Sequence, residues 1–267
     1  MAYSFSMCKN IFSAASEPVT DNYHQQALPK TGQSMCYDPT CIFHPCDLIP
    51  CAGTGQDGEY QRGAAWPSPR FTDNGNGTIT DRLTGLMWQQ SGSYHAITEG
   101  WTEALSRCKS LTTGGYTDWR LPNINELRSL VHYGYTGTQK AWLESQGFTH
   151  INDTIYYWSA STYYNNTDYA WVIDTGNVET YFTIKDYTAH YVLAVRGNSA
   201  GAIGVPQTGQ SICYNTTGTV IPCTGTGQDG EYQRGAAWPA PDSEITETAQ
   251  SPTGSPVSCG NRAGVIK

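Results

Sequence analysis

Apolar residues recur along this chain with two different spacings. In WTEALSRCKSL, Trp101, Ala104, Leu105, Cys108 and Leu111 fall on one face at helical spacing. GGYTDWRLPN ends that helix and begins another. Asn123 and Glu126 stand three apart, as in a capping box, just after Pro122. Ile124, Leu127, Leu130 and Val131 continue as a buried stripe, and Gly134 is the expected stop. Elsewhere the pattern shortens to strands: LMW at 86–88, YYWSA at 156–160, AWVID at 170–174, NVETYF at 177–182 and YVLAVRG at 191–197. FTDNGNGTITD reads as a hairpin, its Asn-Gly-Asn-Gly turn set between Thr-rich strands. Two short helices followed by a run of antiparallel strands predict an α+β domain over 70–198.

A repeat flanks this patterned core. GTGQDGEYQRGAAWP occurs at 53–67 and again, unchanged, at 225–239. The chain therefore divides into an irregular arm (1–27), a first repeat segment (28–69), the core (70–198), a second repeat segment (199–241) and a Ser/Pro-rich tail (242–267).

Cysteine spacing adds a covalent frame. Cys213 and Cys223 bracket a short loop in the second copy, and Cys36 and Cys51 take the matching places in the first. The first loop is five residues longer and holds two more cysteines, Cys41 and Cys46. Cysteines gained as a pair inside a bracketed loop read as nested disulfides, Cys36–Cys51 around Cys41–Cys46, with Cys213–Cys223 as the simpler version. The competing reading is a zinc site, with His44 as a further ligand, although structural zinc sites favour closer knuckles. Cys108 lies on the apolar side of a helix and reads as a buried thiol. Cys8 and Cys259, in the terminal segments, could pair within one chain or between neighbours. Nine cysteines with only 14% charged residues fit an oxidising compartment.

Charge and composition exclude some functions. A net charge of −8 argues against nucleic acid, which requires a basic stripe. No apolar run approaches a membrane span. MAYSFSMCKNIFSAASEPVT lacks a continuous apolar stretch and has Lys9 as its one early positive charge, so it does not read as a secretory signal. The six histidines form no HExxH pair, and no G-x-S-x-G elbow is present. Neither an enzyme nor a cofactor is expected.

Three stretches invite a binding reading. Asp73, Asn76 and Asp81 are possible calcium ligands, but they lack EF-hand spacing, and a tight hairpin explains them without metal. Asp118, Trp119, Arg120 and Asn123 read as a helix-initiating motif in preference to a sugar platform, with Arg120 held by a carboxylate or by carbonyls. STYYNNTDYAW differs: Tyr163, Tyr164, Asn165, Asn166, Asp168 and Tyr169 form the Tyr/Asn mixture that paratopes use. Such a loop serves a ligand or another subunit; its bland reading is a solvated turn partly covering the sheet.

FTDNGNGTITDRLTGLMW, W-x2-AL-x2-C-x2-L, GGYTDWRLPNINELRSLV, YWSAST, AWVI and YVLAVRG occur in an order and spacing that resembles the C-terminal domain of the Legionella collagen-like adhesin family. The resemblance covers 70–198. It implies an exported surface protein, a C-type-lectin-like core and adhesins that bind polysaccharides, and it implies no enzyme. This sequence lacks the collagen-like Gly-X-Y run, and its acidic charge disfavours sulfated polysaccharides. Two readings follow. The first is a structural subunit joined head-to-tail to copies of itself, because similar surfaces stand at both ends of the core. Cys8, Cys259, Trp66 and Trp238 are its candidate inter-subunit contacts. The second is an adhesin that binds a glycan or a host or neighbouring surface through the Tyr/Asn loop.

Overall fold

The computed structural model describes residues 28–41, 46–92, 98–187, 190–198 and 201–237. The arm and tail, with Cys8, Cys259, Trp238 and His44, lie outside the described residues. The fold mixes few helices with several antiparallel sheets and disulfides.

The first repeat supplies β1 (Cys36–Tyr37), β2 (Leu48–Ile49) and a one-turn helix, α1 (Asp57–Tyr60). The core begins with β3 (Phe71–Asp73), β4 (Thr78–Asp81) and β5 (Met87–Gln89). Gly75 and Gly77 turn the β3–β4 hairpin at φ 70° and 82°, where a Cβ is strained. Asp73 accepts from the Gly75 amide at 2.8 Å, and Asn76 accepts from Thr78 at 2.7 Å. Asp81 is buried in an ion pair with Arg70 at 2.8 Å. The oxygens considered for calcium thus hold the turn and its base together.

Helix α2 (Trp101–Ser110) buries Trp101, Ala104, Leu105 and Cys108. Helix α3 (Ile124–Ser129) has the complete capping box between Asn123 and Glu126. It ends at Ser129, well before the expected Gly134 stop, and Leu130 and Val131 stay buried beyond it. A further helix, α4 (Gln139–Ser145), was not expected. Its apolar residues Ala141, Trp142 and Leu143 are adjacent in sequence, so no helical period shows, while Thr138 caps it locally.

Strands β6 (Tyr157–Thr162), β7 (Tyr169–Ile173) and β8 (Thr180–Ile184) form one antiparallel sheet in that order. A second sheet runs β3-β4-β5 and then β9 (Val195–Arg196). YVLAVRG is therefore not one strand along its length. Tyr191 bridges Tyr157 in one sheet, whereas Val195 pairs with Trp88 in the other. The segment crosses between sheets, so its hydrogen bonds divide between them. The β6–β8 sheet also separates two cores. Tyr157 and Ile173 face the cluster of Phe71, Trp88, Leu127 and Trp142; Trp158 and Val172 face Trp101, Trp119 and Leu121.

The second repeat repeats the first: β10 (Cys213–Tyr214), β11 (Val220–Ile221) and α5 (Asp229–Tyr232). Disulfides join Cys36–Cys51, Cys41–Cys46 and Cys213–Cys223.

One buried ion pair links these parts. Arg120 donates to both carboxylate oxygens of Glu126, at 2.7 and 2.6 Å. Glu126 also accepts from the Asn123 amide, while the Arg120 backbone bridges Val195 of β9. Removing one partner of a buried pair typically costs about 3–5 kcal/mol, because the other charge is stranded. Glu126→Gln should therefore lower the urea-unfolding free energy by about that amount. A loss below about 1 kcal/mol would show that the pair is not structural in this sense.

Candidate functional site

The repeated sequence folds on itself before it touches anything else. In the first copy, Glu59 accepts from the amides of Gly53 and Gly55, both at 2.7 Å. Those bonds hold its carboxyl below the usual range. Gln56 makes two bonds to the Tyr37 backbone, at 3.0 and 2.7 Å. Gly58 admits no Cβ, since one would stand 2.3 Å from the Met35 carbonyl oxygen. Glu231, Gln228 and Gly230 repeat each of these features. Conservation of GTGQDGEY between the copies is thus explained by the connector's own fold.

The two copies meet the core through different faces. The first uses its Thr31–Gly32 turn. The Tyr133 amide donates to the Thr31 carbonyl at 3.0 Å, and a Cβ on Gly32 would strike the His132 ring. Trp66 seals this contact, edge-on to His132 at 4.7 Å and near Trp142, with its indole N–H on the Lys30 carbonyl. Trp66, a candidate inter-subunit contact, is half-buried in this aromatic pocket of its own chain.

The second copy docks through its other side. Ser161 and Thr208 both donate to Asp229, at 2.7 and 2.6 Å, and Ser161 also accepts from the Ile124 amide. Gln210 pairs with both backbone groups of Thr162. Asn123 donates to the Arg234 carbonyl at 3.0 Å, and Lys109 donates to that of Gly225. Burial raises the Asp229 carboxyl, and its two hydroxyl donors act the other way.

The Tyr/Asn loop joins β6 to β7 beside this docked repeat. Tyr163 stacks flat on Phe182 with ring centroids 4.0 Å apart, and edge-on to Trp171 at 4.9 Å. Tyr169 meets the same Phe182 edge-on. Tyr164 is 80% exposed, and Asn165 and Asn166 are also exposed. The Asp168 carbonyl accepts from the Lys185 amide at 2.9 Å, and its carboxylate supports the Lys185 charge. The loop thus contributes Tyr163, Tyr164 and Tyr169 to one aromatic face and gives Asp168 a structural place. Trp171 and Phe182 complete the face and were missed. Their alternation with Tyr169 and Ile184 along β7 and β8 was the available signal. Next to this face lies a groove of about 760 Å³, lined by Tyr164, Trp171, Thr162, Asn125, Arg128 and Gln210 among others.

The site offers shape, aromatic faces and hydrogen bonds. Burial raises the Cys108 thiol far above its ordinary value, the opposite of a nucleophile's environment. Among the described residues no His, Cys, Asp and Glu cluster has the makings of a metal site.

Lys185 ties loop, helix and repeat together. Its ammonium donates to the Thr167 carbonyl at 2.8 Å, reaches the Asn215 carbonyl at 3.5 Å and lies 4.2 Å from the Trp101 ring centroid. Burial pushes its pKa down to about 7, partly opposed by Asp168. An unfolded lysine titrates near ~10.4. Between those values the unfolded chain holds a proton that the folded chain lacks, so stability rises with pH. Chemical denaturation should show that rise from pH 7 to 8, below the range in which the unfolded chain's thiols and tyrosines ionise. Lys185→Met should abolish it. An equal rise in the variant would assign the effect to another group.

No curated protein matches the chain. A family model matches residues 77–196, a stretch that holds both core sheets' central strands and excludes both repeats. Over those residues the chain is similar to the Lcl C-terminal domain, the family that the core motifs resemble.

Proposed function

We propose that this chain is a non-enzymatic extracellular structural protein, a subunit that assembles head-to-tail into a surface fibre through its repeat segments. One observation carries the reading. Each repeat copy leaves open the face that the other copy buries. A Cβ on Gly32 meets His132 while one on Gly209 meets nothing within 4 Å; a Cβ on Gly227 meets Lys109 while one on Gly55 meets nothing. A subunit with different open faces at its two repeats can make heterologous contacts, which propagate as a filament when rotation does not close them. The Lcl C-terminal domain points to an adhesin-like surface protein, and the disulfides fit an oxidising exterior. We read the core as C-type-lectin-like.

A second reading, a lectin-like adhesin, is favoured by the face of Tyr163, Tyr164, Trp171 and Phe182 beside the groove. Aromatic rings of this kind stack on sugar faces or on protein. Both roles are compatible, since a fibre displays its loops.

Electron microscopy of the concentrated full chain should show open-ended filaments; a chain that stays strictly monomeric would overturn the fibre reading. For the adhesin reading, a glycan array probed with wild type and the double variant Tyr163→Ala, Tyr164→Ala is decisive. Loss of one aromatic contact is worth about 0.5–1.5 kcal/mol, so affinity should fall about tenfold. Unchanged binding, or none by wild type, would remove it.

A further inference from the structure

The surface that receives the second repeat has a second possible occupant. It is a socket made of the Ser161 hydroxyl, the Thr162 backbone, Asn123 and Lys109. The groups that fill it are Thr208, Gln210, Asp229 and the carbonyls of Gly225 and Arg234. Each has an identical counterpart in the first repeat: Thr31, Gln33, Asp57, Gly53 and Arg62. The internal geometry matches as well, since Thr31 donates to Asp57 as Thr208 does to Asp229. Yet in the first copy this face is open. Asp229 is 3% exposed and Gln228 4%, whereas Asp57 and Gln56 are only half-buried and Tyr60 is 56% exposed.

We infer that the first repeat of one chain docks into the socket of a second copy, displacing that copy's own second repeat. This rests on the head-to-tail reading above and names the contact that makes it. The first repeat stays seated on its own His132–Gly134 turn through the opposite face, so it becomes a two-sided adapter between neighbouring cores. At the Asp229, Gln210, Gly225 and Arg234 positions the step exchanges like for like: the bonds that the incoming copy forms there are those that the outgoing copy breaks. Exchange of an identical element is a low-cost route to association. The tethered second repeat competes at an effective concentration on the order of millimolar, so the closed monomer prevails in dilute solution.

One difference between the copies gives the exchanged contact its own character. The shorter loop of the second repeat touches the Tyr/Asn loop, where Thr167 donates to the Gly218 carbonyl at 2.8 Å. The first repeat brings a loop five residues longer to that place, braced by Cys41–Cys46. Thr167 and its neighbours would then face a neighbouring chain.

The test uses one substitution at two equivalent positions. A Glu in place of the pairing Gln sets a carboxylate against the Thr162 carbonyl and removes the amide donor. Gln210→Glu should loosen the chain's own repeat, free the socket and lower the concentration at which filaments form about tenfold. Gln33→Glu should raise that concentration at least tenfold while leaving monomer stability unchanged, since the Gln33 side chain makes no matching pair with its own core. The double variant should not assemble. Sedimentation velocity and microscopy read the outcome, and thermal unfolding checks that each variant folds. Filaments indifferent to Gln33→Glu, or both substitutions acting in one direction, would overturn the exchange while leaving assembly standing. Failure of both wild type and Gln210→Glu to assemble would overturn the fibre reading and the exchange with it. Independently, Gly55→Cys combined with Lys109→Cys should yield interchain disulfides beyond those of either single variant. Within one chain, a Cβ at position 55 has no atom within 4 Å.

Discussion

The buried pair of Arg120 and Glu126 is the constraint on which the arrangement depends. Two charges taken out of water are tolerated only when their remaining hydrogen-bonding capacity is met. Here Glu126 receives the guanidinium on both oxygens and the Asn123 amide on one, and Arg120 also donates to the Gly197 carbonyl at 3.2 Å. Meeting those needs fixes the start of α3, the register of the crossing segment at Val195 and the path out of the core toward the second repeat. Asn123, locked by the same network, keeps its amide free to hold Arg234. The capping box thus also forms part of the docking surface.

Docking through this network has a physical consequence. Asp229 comes to rest within electrostatic reach of the Arg120–Glu126 pair, while its own hydrogen bonds come from Ser161 and Thr208. Its raised pKa reflects that burial, and the hydroxyls of Ser161 and Thr208 offset it. The contact is largely polar, directional and matched group by group. An apolar contact of similar size would accept many occupants. A polar one selects the sequence that supplies the same donors and acceptors, and in this chain that sequence is written twice. Self-sufficient folding of each connector, through Glu59 or Glu231 on its glycine amides, makes the two copies the same shape wherever they sit.

The sequence was most readable where structure is local. The hairpin with its positive-φ glycines and the Asn123–Glu126 box each lie within a few residues, and short-range chemistry decides them. The loop-bracketing cysteines could be read by laying one repeat against the other. It was least readable where tertiary packing decides. Helix α4 hides because its apolar residues are consecutive, and 191–197 looks like one strand because both sheets it serves demand apolar residues. Tyr163, Tyr164 and Tyr169 could be singled out by composition. Nothing local announced that Phe182 would stack on Tyr163, or that Asp168 would support the charge of Lys185. The opposite docking of two identical segments lay beyond any sequence argument, since the difference is in the core surfaces that they meet.

Amide hydrogen exchange by NMR on the full chain in dilute solution tests this account most directly, because the repeat supplies its own control. Gln228 and Asp229 have the same sequence and local structure as Gln56 and Asp57, and they differ in what covers them. The account predicts strong protection at 228–229 and Thr162, with clearly faster exchange at 56–57. Equal protection in the two copies would contradict it.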